Sequence, residues 1–199
     1  MIIGVTNIKG GVGKTTSSLA IATAAQRSGL SVTVVDTDPQ GSATLWAQAA
    51  EDADDPLPFP VVSKNQAEIR RMRERRPDRD GELIVIDTPP NGSVVDEAIK
   101  TADFVVIPTL SSPIDLQQTM LTAAQCQDAG KDYAVLIVMA RKGTNALRAF
   151  RTAVEEYGAG IFDTEIPLRE DFKADFGHTF RSNLNGYEDV WNELRGELR

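Results

Sequence analysis

The chain has 199 residues, enough for one domain with a sizeable core, and its 41% hydrophobic and 25% charged content are those of an ordinary globular protein. A formal charge of −8 excludes a surface given over wholly to nucleic acid, and apolar runs as short as 83–86 and 134–140 exclude a bilayer-spanning helix. The single cysteine, Cys126, excludes an internal disulfide and a cysteine-built metal cage within one chain. With no signal peptide ahead of the first strand, the expected location is cytoplasmic.

Short β-branched runs alternate with helix-length segments along the chain, the pattern of a parallel sheet crossed by helices. The first strand, Ile2–Thr6, leads into a glycine-rich loop and then a helix over Lys14–Ser28, closed by Gly29. Ser31–Asp36 is the second strand, and Ala53–Pro60, acidic and carrying Pro56, Pro58 and Pro60, is a surface loop. Helix Gln66–Arg76 precedes strand Leu83–Asp87, and helix Val94–Thr101 precedes strand Phe104–Pro108. Helix Leu116–Ala129 leads to strand Ala134–Met139. Helix Ala146–Tyr157, a strand over Ile161–Ile166 and a helix over Tyr187–Leu198 complete the order. Several strands are apolar almost throughout, as sheets covered on both faces require. The reading is a single α/β domain over residues 1–199, a doubly wound, mostly parallel sheet with helices on both faces.

Residues 9–16, Lys-Gly-Gly-Val-Gly-Lys-Thr-Thr, lie between a strand and a helix, the context a phosphate-binding loop needs. Gly10, Gly11 and Gly13 let the backbone around Val12 curl so that its N–H groups face phosphate oxygens. The helix beginning near Lys14 adds its positive dipole end, with Thr15 and Thr16 in its first turn. Lys14 neutralises the β- and γ-phosphates in such a loop, and the Thr15 hydroxyl coordinates Mg²⁺. Nucleotide binding follows from this motif. Asp36 and Asp87 end predicted strands, where α/β folds bind ligands.

Lys9, directly before the glycine pair, is foreign to an ordinary phosphate loop. With it, the loop resembles that of the deviant Walker A ATPases, the family of ParA and MinD proteins. Asp36-Thr37-Asp38-Pro39-Gln40-Gly41-Ser42 is similar to that family's second aspartate motif, and Leu83–Asp87 with Thr88-Pro89-Pro90 to its Walker B strand. The segment 107–116, Ile-Pro-Thr-Leu-Ser-Ser-Pro-Ile-Asp-Leu, resembles the stretch that small plasmid-partition ParA proteins carry after their fourth strand. The resemblance implies an ATP-hydrolysing partition protein using ATP and Mg²⁺. In it, Lys9 reaches across a nucleotide-sandwich homodimer to the partner's phosphates, Asp38 positions the attacking water, and Asp36 and Asp87 serve the metal. It also implies non-specific double-stranded DNA and a ParB-type centromere-binding adaptor as partners, a nucleoid-associated location and no membrane. With the loop starting at Lys9, an N-terminal helix-turn-helix is not expected. Where the family usually presents an Asn-Arg pair, this chain has Ala140-Arg141, so Arg141 and backbone atoms near Pro167 are left to meet the adenine, or base selectivity is weaker.

Other features are open. Arg70, Arg71, Arg73, Arg75, Arg76 and Arg79 either contact DNA phosphates or form a solvated helix with Ile69 and Met72 inward. Lys142, Arg148, Arg151, Arg169, Lys173 and Arg181 compete for the DNA role, and the resemblance favours this second group. His178 is read as a surface residue, Cys126 as a small core residue and Trp46 as packing near the switch. Val190, Trp191, Leu194 and Leu198 share one face of the last helix, and its mixed charges favour packing on the core over lipid. Rival functions are a MinD-like positioning ATPase acting on a membrane or protein cargo, and a metabolic P-loop enzyme.

Overall fold

The computed structural model describes residues 1–74, 81–169 and 175–197. Its strands are β1 Ile2–Val5, β2 Ser31–Asp36, β3 Val61–Ser63, β4 Glu82–Asp87, β5 Phe104–Thr109 and β6 Asp132–Ile137. Its helices are α1 Lys14–Arg27, α2 Ser42–Asp52, α3 Gln66–Glu74, α4 Ser93–Thr101, α5 Pro113–Asp128, α6 Asn145–Glu156 and α7 Tyr187–Glu197. The strands form one sheet in the order β3-β2-β4-β1-β5-β6, and every pairing is parallel.

Alternation along each strand divides the core in two, because successive side chains leave opposite faces of a sheet. Ile3, Val5, Val32, Val34, Leu83, Val85, Phe104, Val106 and Leu136 form one cluster with Leu19 and Ile21 of α1, Trp46 of α2 and Trp191 and Leu194 of α7. The opposite face puts Ile2, Val35 and Ile86 with Ile69 of α3 and Ala98 of α4, Val105 and Ile107 with Cys126 of α5, and Val135 and Ile137 with Phe150 of α6. This is the doubly wound arrangement expected. Gly4 faces α4 closely enough that a β-carbon would sit 3.3 Å from that of Ala102.

Helix α5 starts one turn before the expected Leu116. The Ser112 side chain accepts from the Asp115 N–H, the Asp115 carboxylate accepts from the Ser112 N–H, and Pro113 fills the first position. Helix α2 and edge strand β3 were not expected from the sequence. The expected strand over Ile161–Ile166 is a correction. Ile161 and Pro167 make only isolated bridges to Val135 and Ala140. Between them the Asp163 and Thr164 N–H groups turn to the Glu193 carboxylate on α7, 2.8 and 3.0 Å away, which breaks the ladder.

The last helix lies on α1. Val190, Trp191 and Leu194 are buried, Trp191 Nε1 donates to Ser28 Oγ at 3.0 Å, and Arg27 donates to three carbonyls of residues 180–182. Leu198 lies outside the described residues. Cys126 is fully buried and its thiol is pushed up to about 12 by that burial, so it is an inert core residue. No helix among the described residues is long and apolar enough to cross a membrane.

Candidate nucleotide site

The C-terminal ends of β1, β2, β4 and β5 open on one edge of the sheet, and the loop from β1 to α1 lies across it. Gly11 and Gly13 adopt φ of 75° and 73°, left-handed backbone that a side chain strains against, and Gly13 is the N-cap of α1. The loop therefore curls and presents the first N–H groups of a 14-residue helix. Lys14 is buried, and its amine donates to the Lys9 carbonyl at 2.8 Å. Burial lowers the Lys14 pKa, and the charges of Asp87 and Asp38 oppose that shift.

Asp87, at the end of β4, accepts from Thr15 Oγ1 at 2.7 Å and from Ser18 Oγ at 3.0 Å. It is buried at 1% exposure, and its carboxyl is pushed up to about 7. Burial is the main cause; the two hydroxyls and Lys14 pull the other way, and the charge of Asp36 adds to the rise. An anionic carboxylate paired with a threonine hydroxyl beneath an amide-lined loop could hold a divalent cation. Ser18 was missed from the sequence. Its position one helical turn after Lys14 was the available signal, since it also donates to the Lys14 carbonyl.

Asp36 is buried at the end of β2, but its hydrogen bonds go to the following turn. It accepts from the Asp38 N–H at 3.1 Å and from the N–H and hydroxyl of Thr44 at 2.9 and 2.8 Å. Asp36 thus ties the start of α2 to the sheet and sets Asp38. Asp38 is half-buried, accepts from the Gln40 N–H at 2.9 Å and is near enough to Lys14 to act on its charge.

Lys9 turns away from its own loop. Its amine is paired with the carboxylate of Asp115 on α5, whose side chain is 2% exposed against 30% for Lys9. The same carboxylate accepts from the Ser112 hydroxyl. Its pKa is lowered: burial works against that, and the hydrogen bonds from Lys9 and Ser112 outweigh it. Asn7 Oδ1 holds the Lys9 N–H at 2.9 Å, and the Asn7 amide is anchored to the Pro108 carbonyl.

Pro167 and Thr16 line an apolar cavity beside the loop, together with Trp46. Arg141 is exposed and is not among the lining residues. Of the basic residues weighed above, Arg151 lies 3.4 Å from Glu165 and also donates to the carbonyls of Phe162 and Asp163, and Arg181 is 3.6 Å from Asp175. Lys142, between β6 and α6, and Arg148, within α6, are exposed, and Arg148 donates to the Asn145 side chain and the Gly143 carbonyl. On α3, Ile69 is buried and Met72 is the second inward residue, while Arg73 pairs with Glu97 at 2.9 Å. Arg75, Arg76, Arg79 and Lys173 lie outside the described residues. His178 is exposed, with Asp55 3.5 Å from its Nδ1.

A parallel sheet with a glycine-turned loop entering a helix, and a carboxylate on the neighbouring strand end, defines a P-loop nucleotide-binding protein. The chain belongs to the CobQ/CobB/MinD/ParA nucleotide binding domain family, which it matches over residues 3–179. It is 34% identical over 170 residues to a maintenance of carboxysome distribution protein A of Gloeobacter kilaueensis, covering 83% of this chain and 76% of that protein. It is 27% identical to a ParA protein of Rhizobium radiobacter over 99% of this chain and 90% of that one. A plasmid partition protein of Borrelia burgdorferi, solved with AMPPNP, has the same fold at a TM-score of 0.74 and 18% identity, covering 98% of both chains.

Proposed function

We propose that this protein is an Mg²⁺-dependent ATPase whose nucleotide-bound homodimer holds non-specific DNA and releases it when an adaptor stimulates hydrolysis, so that a plasmid or chromosome is partitioned. The observation that carries the reading is the second lysine. Lys14 stays within its own loop, its amine on the Lys9 carbonyl, while Lys9, fixed at its backbone by Asn7, turns its partly exposed side chain to the buried Asp115 of α5. A second, partly exposed cation beside the loop supports a reading in which it meets a facing subunit, the role an arginine finger fills in related chemistry.

The residues present fit the ligand. Gly11 and Gly13 shape an anion cradle, Lys14 has only a loop carbonyl to leave, and Thr15 and Asp87 already stand together. Bound Mg²⁺ would neutralise charge on the phosphate oxygens. Thr15 and Asp87 would hold it, and Asp36 acts through Asp38 and Thr44. In this reading Asp38 orients the attacking water. Lys142 and Arg148 are among the exposed cations that DNA phosphates would meet in this reading.

A second reading, a positioning ATPase for a protein cargo, is favoured by the similarity to carboxysome distribution proteins and by the internal pairing of Arg151 and Arg181. Binding to unrelated double-stranded DNA separates the two, measured without nucleotide, with ADP and with a slowly hydrolysed ATP analogue at two salt concentrations. Binding confined to the ATP analogue and weakened by salt is expected. No binding in any state would sink the DNA reading in favour of the second.

A further inference from the structure

The segment between β1 and the glycine turn, Asn7-Ile8-Lys9, belongs to no strand or helix, so its route is set by the partners its polar groups find. The Ile8 N–H donates to Thr122 Oγ1 at 3.2 Å, and the Lys9 N–H to Asn7 Oδ1 at 2.9 Å. Asn7 is itself buried, and its side-chain amide donates to the Pro108 carbonyl at 2.9 Å and to Thr119 Oγ1 at 3.4 Å. The Lys9 amine is paired with Asp115. Asp115, Thr119 and Thr122 stand at i, i+4 and i+7 of α5, which is one stripe of that helix. One helix therefore holds segment 7–9 at three points, across 106, 112 and 114 positions of chain.

Both threonines are fully buried, where a hydroxyl costs stability unless it is bonded and where threonine is a poor helix former. Their neighbours on α5, Ala123 and Cys126, pack into the core as apolar side chains do. Each hydroxyl proton is directed away from segment 7–9. Thr119 donates to Thr109 Oγ1 at 2.7 Å, Thr109 passes its own proton to the Leu110 carbonyl at 3.1 Å, and Thr122 donates to the Gln118 carbonyl at 3.2 Å. The oxygens of Thr119 and Thr122 are thereby left facing the segment as acceptors. We propose that Thr119 and Thr122, the first acting through Asn7, are positioning residues for Lys9: they fix where its backbone leaves the sheet and so aim its side chain. The proposal rests on the reading of Lys9 as a cation that meets a facing subunit. Its amine must leave Asp115 to do so, but the two threonine contacts carry no charge and remain, and the side chain swings from a fixed base. A charged group misplaced by about 1 Å loses roughly a hundredfold in rate.

The test is steady-state ATP hydrolysis by the intact protein with Mg²⁺, alongside ADP affinity, for Thr122→Val, Thr122→Ser, Lys9→Ala and the Lys9→Ala, Thr122→Val pair. Valine keeps the shape of threonine and lacks the acceptor. The kcat of Thr122→Val should fall roughly tenfold to a hundredfold, with ADP affinity unchanged because Lys14, Thr15 and Asp87 keep their contacts. Thr122→Ser, which restores the oxygen, should recover the turnover. In the Lys9→Ala background Thr122→Val should cause no further fall, since the two changes act on one interaction. Thr119→Val takes the acceptor from Asn7, should act in the same direction, and serves if Thr122→Val does not fold. A fall of less than about tenfold in the valine variants would overturn the proposal. So would an equal loss in Thr122→Ser, or a full further fall in the Lys9→Ala background. If Lys9→Ala hydrolyses ATP as fast as the parent, the reading of Lys9 fails and this one with it; if only the valine variants do, the positioning role alone is lost.

Discussion

Replacing Asp115 by asparagine tests whether Lys9 is held in reserve. The carboxylate is almost wholly buried and receives the Lys9 amine and the Ser112 hydroxyl, while the lysine side chain keeps 30% of its exposure. An asparagine retains an oxygen for the Ser112 N–H, so the start of α5 persists and the lost partner is the lysine. A hydrogen bond to a charged group is worth about 1.5–3 kcal/mol. Partial exposure of Lys9 puts this one near the lower end, about 1.5 kcal/mol. Asp115→Asn should therefore lower the melting temperature of the nucleotide-free protein by about 3–6 °C. If Lys9 must leave Asp115 to cross to a facing subunit, each subunit sheds the same cost on pairing. Two such terms tighten dimerisation about a hundredfold. Sedimentation with Mg²⁺ and a slowly hydrolysed ATP analogue reads that constant directly. A variant that loses thermal stability yet dimerises no more tightly than the parent would refute the reasoning, because Lys9 would then only tie its loop to α5.

Two further outcomes follow from buried groups. Asp87 has its carboxyl raised from an ordinary 3.8 to about 7, so between those values the folded protein keeps a proton that the unfolded chain has lost. Stability without metal should fall as pH rises through that window, and Asp87→Asn should remove the slope, gaining at most about 4 kcal/mol at pH 8; a denaturation series showing the same pH slope in both proteins would contradict this. Leu194→Ala, at a fully buried position of α7 against α1, should cost about 2–5 kcal/mol in urea unfolding, and a loss below about 1 kcal/mol would mean that α7 is not part of the core.

Five of the strands and six of the helices, the glycine loop and the aspartates at strand ends were legible because each is a local statement. An apolar run of strand length, a glycine needing left-handed backbone or a lysine before a helix is decided by residues within a few positions. Helix α2 was not read, although Ala43, Trp46 and Ala50 share one buried face; the turn residues ahead of it, Asp38-Pro39-Gln40-Gly41, masked its start. Segment 161–166 was read as a strand because Phe162 and Ile166 are real core residues. Only the Glu193 carboxylate on α7, some 30 positions away, shows that its ladder is interrupted.

The site divides in the same way. Sequence alone determined that residues 9–16 form a glycine-turned loop ahead of a helix and that Asp87 ends a strand, since residues within a few positions set both. Tertiary structure decided the rest. Thr15 meets Asp87 across 72 positions, Lys9 finds Asp115 from 106 positions away, and Trp46, Pro167, Phe176 and Tyr187 meet around one cavity. Such partners are chosen by which strand ends and helix faces the parallel order β3-β2-β4-β1-β5-β6 brings to one edge. Side chains far apart in the chain are matched only when the sheet has closed, because burial and hydrogen bonding select among neighbours in space and not in sequence.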